Sequence, residues 1–248
     1  MGIVSKVGKG LVDAIVKNHR YQAHDLFSWL LDDVLADLTG GRKKNPPPIE
    51  AIEDIRELAT HYAECVIEAP CCEDVLGPVY EELSGHGQKK WMGQYFTPQP
   101  LARMMAKMTL GDSPPRPSEG KPLLSVLEPA SGSGVMLLAM CQEIIDVQGM
   151  EALAQWSLTA VDLDSYCARM TAAQLLANCF IHQMTLGELV VYRGNSISPD
   201  KGMELIVHAT GKGVDLSEVA PATHPARLLA IEEAANASHA GGQLELWG

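Results

Sequence analysis

The sequence Leu127-Glu128-Pro129-Ala130-Ser131-Gly132-Ser133-Gly134 (LEPASGSG) directly follows the apolar run Leu123–Val126. Two of the four residues from Ser131 to Gly134 are glycines, which adopt positive φ and allow another group to approach the backbone closely. A strand that leads through such a turn into a helix presents free backbone N–H groups to a polar or anionic ligand. The turn matches neither GxxxxGK[ST] nor GxGxxG, because no Lys follows Gly134 and the third glycine is absent. A tight strand-to-helix turn without a ligand is the alternative.

Strands and helices alternate around this turn. The apolar pattern predicts strands at residues 123–127, 158–161 and 189–192, and helices at residues 135–147 and 165–179. Strands that alternate with helices predict a parallel sheet covered on both faces. Such a sheet binds ligands beyond the carboxyl ends of its strands, which is where the glycine turn lies.

The flanking regions predict three parts of the chain. Residues 1–88 form a helical N-terminal region, residues 89–222 a cofactor-binding domain, and residues 223–248 a helix followed by a flexible tail. The N-terminal region contains predicted helices at residues 21–38, from residue 52 to near Pro70, and at residues 75–83. A further helix at residues 101–109 is predicted to turn Met104, Met105 and Met108 inward.

Two carboxylates follow the second strand of the predicted sheet. Asp162 lies at the strand end, where an acidic side chain can accept the ribose hydroxyls of an adenosine-containing cofactor. Asp164 directly precedes the helix that begins at Ser165, and is therefore predicted to cap that helix. A solvated strand end is the alternative for Asp162.

Three stretches occur in a fixed order along this part of the chain. They are Gly93-Gln94-Tyr95-Phe96-Thr97-Pro98, Glu128-Pro129-Ala130-Ser131-Gly132-Ser133-Gly134 and Val161-Asp162-Leu163-Asp164. In this order they resemble the motifs of bacterial DNA adenine-N6 methyltransferases, and most of all those of the modification subunits of type I restriction systems. Arg193-Gly194-Asn195-Ser196 resembles the next signature of the family, in which an Asp usually contacts the adenine amino group. The likeness covers residues 91 to about 198.

This resemblance implies an α/β fold with a Rossmann-like methyltransferase sheet, and S-adenosylmethionine as the cofactor. In the family, the first turn packs over the methionine part of the cofactor and the glycine turn holds it from below. The residue that matches Asp162 binds the ribose, and Asn195 can reach the adenine ring through its side-chain amide. The residues expected to contact the cofactor are Tyr95, Phe96, Thr97, Pro98, Glu128, Ala130, Ser131, Gly132, Ser133, Gly134, Asp162, Leu163, Asn195 and Ser196.

The catalytic signature of the family is an Asn/Asp-Pro-Pro-Tyr/Phe turn, which accepts hydrogen bonds from the target amino group and stacks on the flipped base. The sequence after Asn195 contains no such tetrapeptide, and the candidate strand at residues 203–207 continues into His208-Ala209-Thr210-Gly211. Asn45-Pro46-Pro47-Pro48 matches three letters, but Pro48 cannot stack as an aromatic ring does and no strand is predicted before Asn45. The catalytic residues are therefore not identified from the sequence.

The charge distribution argues against autonomous DNA binding. The 248 residues carry a net charge of −12, and acidic side chains outnumber basic ones in residues 1–90, 91–197 and 198–248 alike. A protein that binds DNA phosphates by itself normally presents a positive face. The six cysteines form no CxxC pair and no apolar run approaches the roughly 18 residues that span a bilayer. We therefore expect a reduced cytoplasmic protein without a metal site or a membrane segment.

Two classes of function fit these observations. The first is a cofactor-binding protein that acts as a pseudo-enzyme or a partner subunit in DNA modification or restriction, with DNA reached through the partner. The second is an active minimal DNA adenine methyltransferase whose catalytic motif has diverged. The missing tetrapeptide and the acidic composition favour the first, and the family resemblance favours the second.

The last residues, Gln243-Leu244-Glu245-Leu246-Trp247-Gly248, follow the glycine-containing spacer at residues 238–242. Residues Gln243–Trp247 resemble the peptide that binds the bacterial sliding clamp, which has a Gln, a Leu, a small or acidic residue, a Leu and an aromatic. A final edge strand with alternating apolar residues is the alternative.

Overall fold

The computed structural model describes residues 8–41, 43–85, 95–112, 115–117, 123–197, 202–211, 228–231 and 233. The helices in these ranges are α1 (Lys9–Lys17), α2 (Ala23–Thr39), α3 (Ile52–Glu68), α4 (Leu76–Gly85), α5 (Gln99–Leu110), α6 (Val135–Gln148) and α7 (Ser165–Ile181). The strands are β1 (Leu124–Glu128), β2 (Trp156–Asp162), β3 (Glu188–Arg193) and β4 (Glu204–Thr210). This arrangement confirms the predicted α/β, Rossmann-like fold with a helical N-terminal region. None of the described helices is long and apolar enough to cross a membrane.

The four strands form one sheet in the order β1-β2-β3-β4. The β1–β2 and β2–β3 pairs are parallel, as predicted for these three strands, whereas β4 runs antiparallel to β3. The reason is the short connection, since only residues 194–203 separate β3 from β4 and a parallel return needs a crossover of about a dozen residues or more. Among the described residues, β1 is therefore the edge of the sheet on one side and β4 on the other.

The two faces of the sheet contact different parts of the chain. One face packs against the helices that surround β1 and β2, and its central side chains are Leu158, Ala160, Leu189 and Val191. The opposite face places Val161, Val190 and Tyr192 against Ile231. Residues 228–231 are helical, as predicted for the segment that follows the cofactor-binding domain.

The orientation of α5 differs from the prediction. Ala102 and Ala106 are fully buried, α5 packs against α6, and Met104 and Met108 are 53% and 75% exposed. Met105 is also exposed, so the prediction that the three methionines turn inward is wrong. Alanines allow two helix backbones to approach closely, and residues spaced by four lie on one face of a helix. The sequence contains two such stripes on α5, and the stripe of small residues makes the contact.

The helix α7 joins the N-terminal helices to the sheet. Ala168, Ala172 and Leu175 belong to the core above the sheet. Cys167 and Met170 belong to the core formed with α1, α2, α3 and α4. A helix that is buried on all sides lies in the interior of a structure, so the helical region packs directly on the Rossmann-like part. The predicted boundary at residue 88 falls outside the described residues, and the three-part division stays a prediction.

Candidate cofactor-binding site

The glycine turn connects β1 to α6 in a left-handed backbone conformation. Gly132 and Gly134 have φ angles of +56° and +96°, which other residues rarely adopt. A Cβ atom on Gly134 would lie 3.0 Å from the Cα atom of Thr171, so this glycine allows the turn to pack on α7. A Cβ atom on Gly132 would lie 3.1 Å from the ring of Phe96. Gly132 therefore allows the close approach of the turn that carries Phe96.

Asp162 at the end of β2 organises this turn. Its Oδ2 accepts a hydrogen bond from the Gly132 N–H at 2.8 Å, and its Oδ1 accepts one from the Asp164 N–H at 2.8 Å. Burial raises the pKa of Asp162, although these two backbone donors favour the charged form. Each carboxylate oxygen has a second lone pair, so Asp162 can still accept hydrogen bonds from the hydroxyl groups of a ribose. The next residue, Leu163, presents a largely exposed apolar side chain.

A second carboxylate lies at the end of the neighbouring strand. Glu128 ends β1, and its Oε1 accepts a hydrogen bond from the Ala130 N–H at 3.2 Å. Burial raises the pKa of Glu128, and the negative charge of Asp162 raises it further. Two carboxylates at the carboxyl ends of adjacent strands suit a ligand that carries hydroxyl groups or a positive charge, and S-adenosylmethionine carries both.

The helix that follows β2 begins as predicted. Asp164 is its N-cap, and Oδ1 of Asp164 accepts a hydrogen bond from the Tyr166 N–H at 2.8 Å. The two acidic residues therefore have the separate positions that the sequence indicated, one at the strand end and one at the helix cap.

The turn at residues 95–98 faces the glycine turn. The backbone N–H of Phe96 donates to Oε1 of Glu81 at 3.0 Å, and the Phe96 ring lies 5.6 Å from the Tyr80 ring between centroids. Pro98 is the N-cap of α5, and Thr97 is half-buried. The Tyr95 side chain is 86% exposed, and Gly93 and Gln94 of the same motif lie outside the described residues.

The residues after β3 reach the same edge of the sheet. Ser196 Oγ donates to the Pro129 carbonyl at 3.0 Å, and the Gly194 N–H donates to the Asp162 carbonyl at 2.9 Å. The Asn195 side chain accepts a hydrogen bond from the Ile197 N–H at 3.0 Å. The structure therefore brings together the predicted segments at Phe96, the glycine turn, Asp162 and Asn195. The cofactor contact of each residue stays a prediction.

A buried polar network lies beneath the glycine turn, and the sequence motifs do not indicate it. Asp74 accepts hydrogen bonds from Ser133 Oγ and Gln174 Nε2, both at 2.7 Å. Gln174 Nε2 also donates to the Ser133 carbonyl at 2.8 Å, and Thr171 Oγ1 donates to Ser131 Oγ at 3.0 Å. An aspartate just before a helix start is a signal for a cap, and the Gly77 N–H does donate to Asp74 at 2.9 Å. The contact with the glycine turn carries no signal in the sequence.

His208 and Asn45 were the two candidate positions for catalysis, and both lie near β4 rather than beside β1. His208 contacts Glu188 at 2.9 Å, and Glu188 begins β3, at the end of the sheet opposite Asp162. Lys44, which precedes Asn45, pairs with Glu204 on β4. The strand β4 is three positions from β1, or about 14 Å at the usual strand spacing. No group of three His, Cys, Asp or Glu side chains in the described ranges is placed to hold a metal ion.

The chain is similar to known proteins in sequence and in structure. The sequence model of the family described as N-6 DNA methylase matches residues 72–214. A protein of Listeria monocytogenes described as a class I S-adenosylmethionine-dependent methyltransferase is similar in structure, with a TM-score of 0.41 and 11% identity over 69% of this chain and 50% of that chain. The type I restriction-modification methyltransferase subunit of Streptococcus thermophilus has a TM-score of 0.32 and 18% identity over 78% of this chain and 40% of that chain.

The present chain thus spans no more than half of the length of either solved structure. Curated protein sequences show no match to it. The family match includes the network at Asp74, the glycine turn, Asp162 and the strand β4. Because this match covers more than half of the sequence, the chain belongs to the N-6 DNA methylase family, whose cofactor is S-adenosylmethionine.

Proposed function

We propose that this protein binds S-adenosylmethionine at the glycine turn and serves DNA adenine-N6 modification as a pseudo-enzyme or partner subunit without a catalytic group of its own. The observation that carries the proposal is the order of the sheet. In doubly wound sheets the ligand lies where the strand order reverses, between the first strand and a strand on its far side. In the described part of this chain β1 is an edge strand, and the chain after β3 returns as β4 on the opposite side of the sheet. No described strand therefore flanks β1 on its far side, where a catalytic strand end would complete the crevice.

The positions of polar side chains support the same proposal. Methylation of an adenine in DNA requires groups that hydrogen-bond and stack the flipped base beside the methyl donor. His208 is engaged by Glu188 at the other end of the sheet, and Lys44 holds the Asn45 loop near β4. Within the described ranges, neither candidate is available at the free side of β1.

The charge of the chain supports a role for a partner in contacting DNA. The net charge is −12, and the carboxylates Glu128 and Asp162 lie at the ligand edge of the sheet. Like charges repel the phosphates of a duplex, whereas they favour the cationic sulfonium of the cofactor. We propose that the positive surface for DNA comes from a partner subunit.

The first expected result is cofactor binding without methyl transfer. Calorimetry on the purified chain should detect S-adenosylhomocysteine, and labelled S-adenosylmethionine should leave no N6-methyladenine in unmodified DNA above background. Asp162→Ala is the control, because it removes the carboxylate that holds the Gly132 N–H. Absence of cofactor binding to the native chain rejects the proposal. Methyl transfer that Asp162→Ala abolishes would establish the alternative, an active minimal methyltransferase with a diverged catalytic motif.

We also propose that the C-terminal residues Gln243–Trp247, which lie outside the described residues, bind a bacterial sliding clamp. In this proposal Leu246 and Trp247 fill an apolar groove and Gln243 hydrogen-bonds at its rim. Each large apolar side chain contributes roughly 1.5–3 kcal/mol on burial, and ordering of the peptide offsets much of that. A fluorescent peptide of residues 238–248 should therefore bind purified clamp with a Kd on the order of micromolar. Equal binding of a peptide with Leu246→Ala and Trp247→Ala would contradict this assignment.

A further inference from the structure

We infer that Asp74 and Glu81 are positioning residues that hold the two walls of the cofactor site, the glycine turn and the Phe96 turn, at a fixed spacing. The inference rests on the proposed cofactor site. Neither residue is among those that the sequence motifs indicate for cofactor contact. Both belong to the helical N-terminal side of the chain, Asp74 just before α4 and Glu81 within it.

Asp74 holds the glycine turn from below. Its carboxylate is buried and accepts three hydrogen bonds, from the Gly77 N–H, from Gln174 Nε2 and from Ser133 Oγ. These donors come from α4, α7 and the glycine turn, so one carboxylate joins three elements. Burial raises the pKa of Asp74, while its three donors favour the charged form. Hydrogen bonds to a charged group are stronger than neutral ones, and a buried donor that loses its acceptor is costly.

Glu81 holds the opposite wall. Its Oε1 accepts the hydrogen bond of the Phe96 N–H, and the neighbouring Tyr80 ring packs on the Phe96 ring. Tyr80 also packs on Tyr166 of α7, with ring centroids 5.9 Å apart. Asp74 lies two residues before the start of α4 and Glu81 lies within α4, so one short segment carries both carboxylates.

The two walls meet where the Phe96 ring approaches Gly132. Because one helix segment anchors both turns, the distance between them is set before the cofactor arrives. A preorganised site avoids the cost of ordering its loops on binding. We therefore expect the cofactor affinity to depend on Asp74 and Glu81, although these side chains contact the two turns and not the cofactor.

Three variants of the whole chain test the inference, each titrated with S-adenosylhomocysteine by calorimetry. Glu81→Ala removes the acceptor for the Phe96 N–H, and Glu81→Gln keeps an amide oxygen in its place. Ser133→Ala removes the donor to Asp74 and leaves Asp74 bound to Gly77 and Gln174, so it is milder for the fold than a change of Asp74. Because the Ser133 side chain is fully buried and its hydroxyl points at Asp74, the change tests the support of the turn rather than a direct contact of this hydroxyl with the cofactor. Glu53→Ala is the matched control, since Glu53 is an exposed helical glutamate that pairs with Arg56.

The expected result is a Kd raised about tenfold by Glu81→Ala and by Ser133→Ala, and changed less than about twofold by Glu81→Gln and Glu53→Ala. Rescue by Glu81→Gln separates positioning from a general loss of stability. The urea midpoint of Glu81→Ala should equal that of the native chain, because the Glu81 side chain is exposed.

Failure of the inference and failure of the proposed function give different results. If the native chain binds no S-adenosylhomocysteine, the proposed cofactor site is wrong. If the native chain binds and both Glu81→Ala and Ser133→Ala bind within twofold of it, the site stands and the positioning role is overturned. Equal weakening by Glu81→Ala and Glu81→Gln would also overturn it, because both would then act without regard to the hydrogen bond.

Discussion

Replacement of Gly132 by Val is expected to abolish cofactor binding, with a Kd for S-adenosylhomocysteine raised more than about 100-fold, or about 2.8 kcal/mol. The φ angle of Gly132 is +56°, and its Cβ position lies 3.1 Å from the Phe96 ring. A branched side chain would separate the Phe96 turn from the glycine turn and occupy the space between them. It would also strain the backbone that donates to Asp162. Calorimetry on the purified variant measures the change.

Gly149→Val is the matched control for this substitution. Gly149 also has a positive φ angle, +87°, but a Cβ atom there would have no neighbour within 4 Å. The residue ends α6 at the end far from the glycine turn. The control therefore reproduces the backbone strain without filling the site, and its cofactor affinity should equal that of the native chain. Similar affinities of Gly132→Val and the native chain would show that the cofactor does not lie between the two turns.

Replacement of Arg169 by Met is expected to lower the free energy of unfolding by about 3–5 kcal/mol, because it leaves a buried carboxylate without its cation. Arg169 on α7 pairs with Asp32 on α2 at 2.9 Å, and the two side chains are only 9% and 4% exposed. The same guanidinium donates to the Ser28 carbonyl at 3.2 Å. The pair therefore fixes α2 of the N-terminal region to the helix that covers the sheet.

Urea unfolding of the native chain and of the Arg169→Met variant measures this effect, and Arg56→Met is the control. Arg56 pairs with Glu53 on the surface of α3, with side chains 70% and 87% exposed, and such pairs contribute at most about 1 kcal/mol. Most domains have a total stability of about 5–15 kcal/mol, so the loss expected for Arg169→Met is a large fraction of the whole. A loss below about 1 kcal/mol for Arg169→Met would mean that solvent reaches Asp32 in the variant and compensates for the lost cation.

Local features of the structure were predictable from the sequence. The glycine turn, the strand end at Asp162 and the cap at Asp164 depend on the conformation of a few neighbouring residues. Backbone conformations that only glycine adopts readily, and the hydrogen bonds of a helix cap, act within three or four residues of the chain. The alternation of strands and helices is similarly local, because its period is visible in each segment by itself.

The packing between segments was decided only by the tertiary structure. The sequence of α5 contains an alanine stripe and a methionine stripe, and the choice between them depends on how closely α6 approaches. The direction of β4 depends on where β3 ends, since a connection of residues 194–203 excludes a parallel return only once both strand ends are known. In both cases a local pattern permits two arrangements, and the contacts with other elements select one.

The sequence by itself determined the family, the α/β fold and the edge of the sheet at which the cofactor motifs meet, because these follow from motif order and segment periodicity. It did not determine how the site is supported. Asp74 and Ser133 are 59 positions apart, and Asp32 and Arg169 are 137 positions apart. Nothing in the sequence distinguishes Asp74 or Asp32 from an aspartate on the surface, and only the fold buries them. A buried charge needs partners from whichever elements surround it, and those neighbours are chosen by packing rather than by position along the chain.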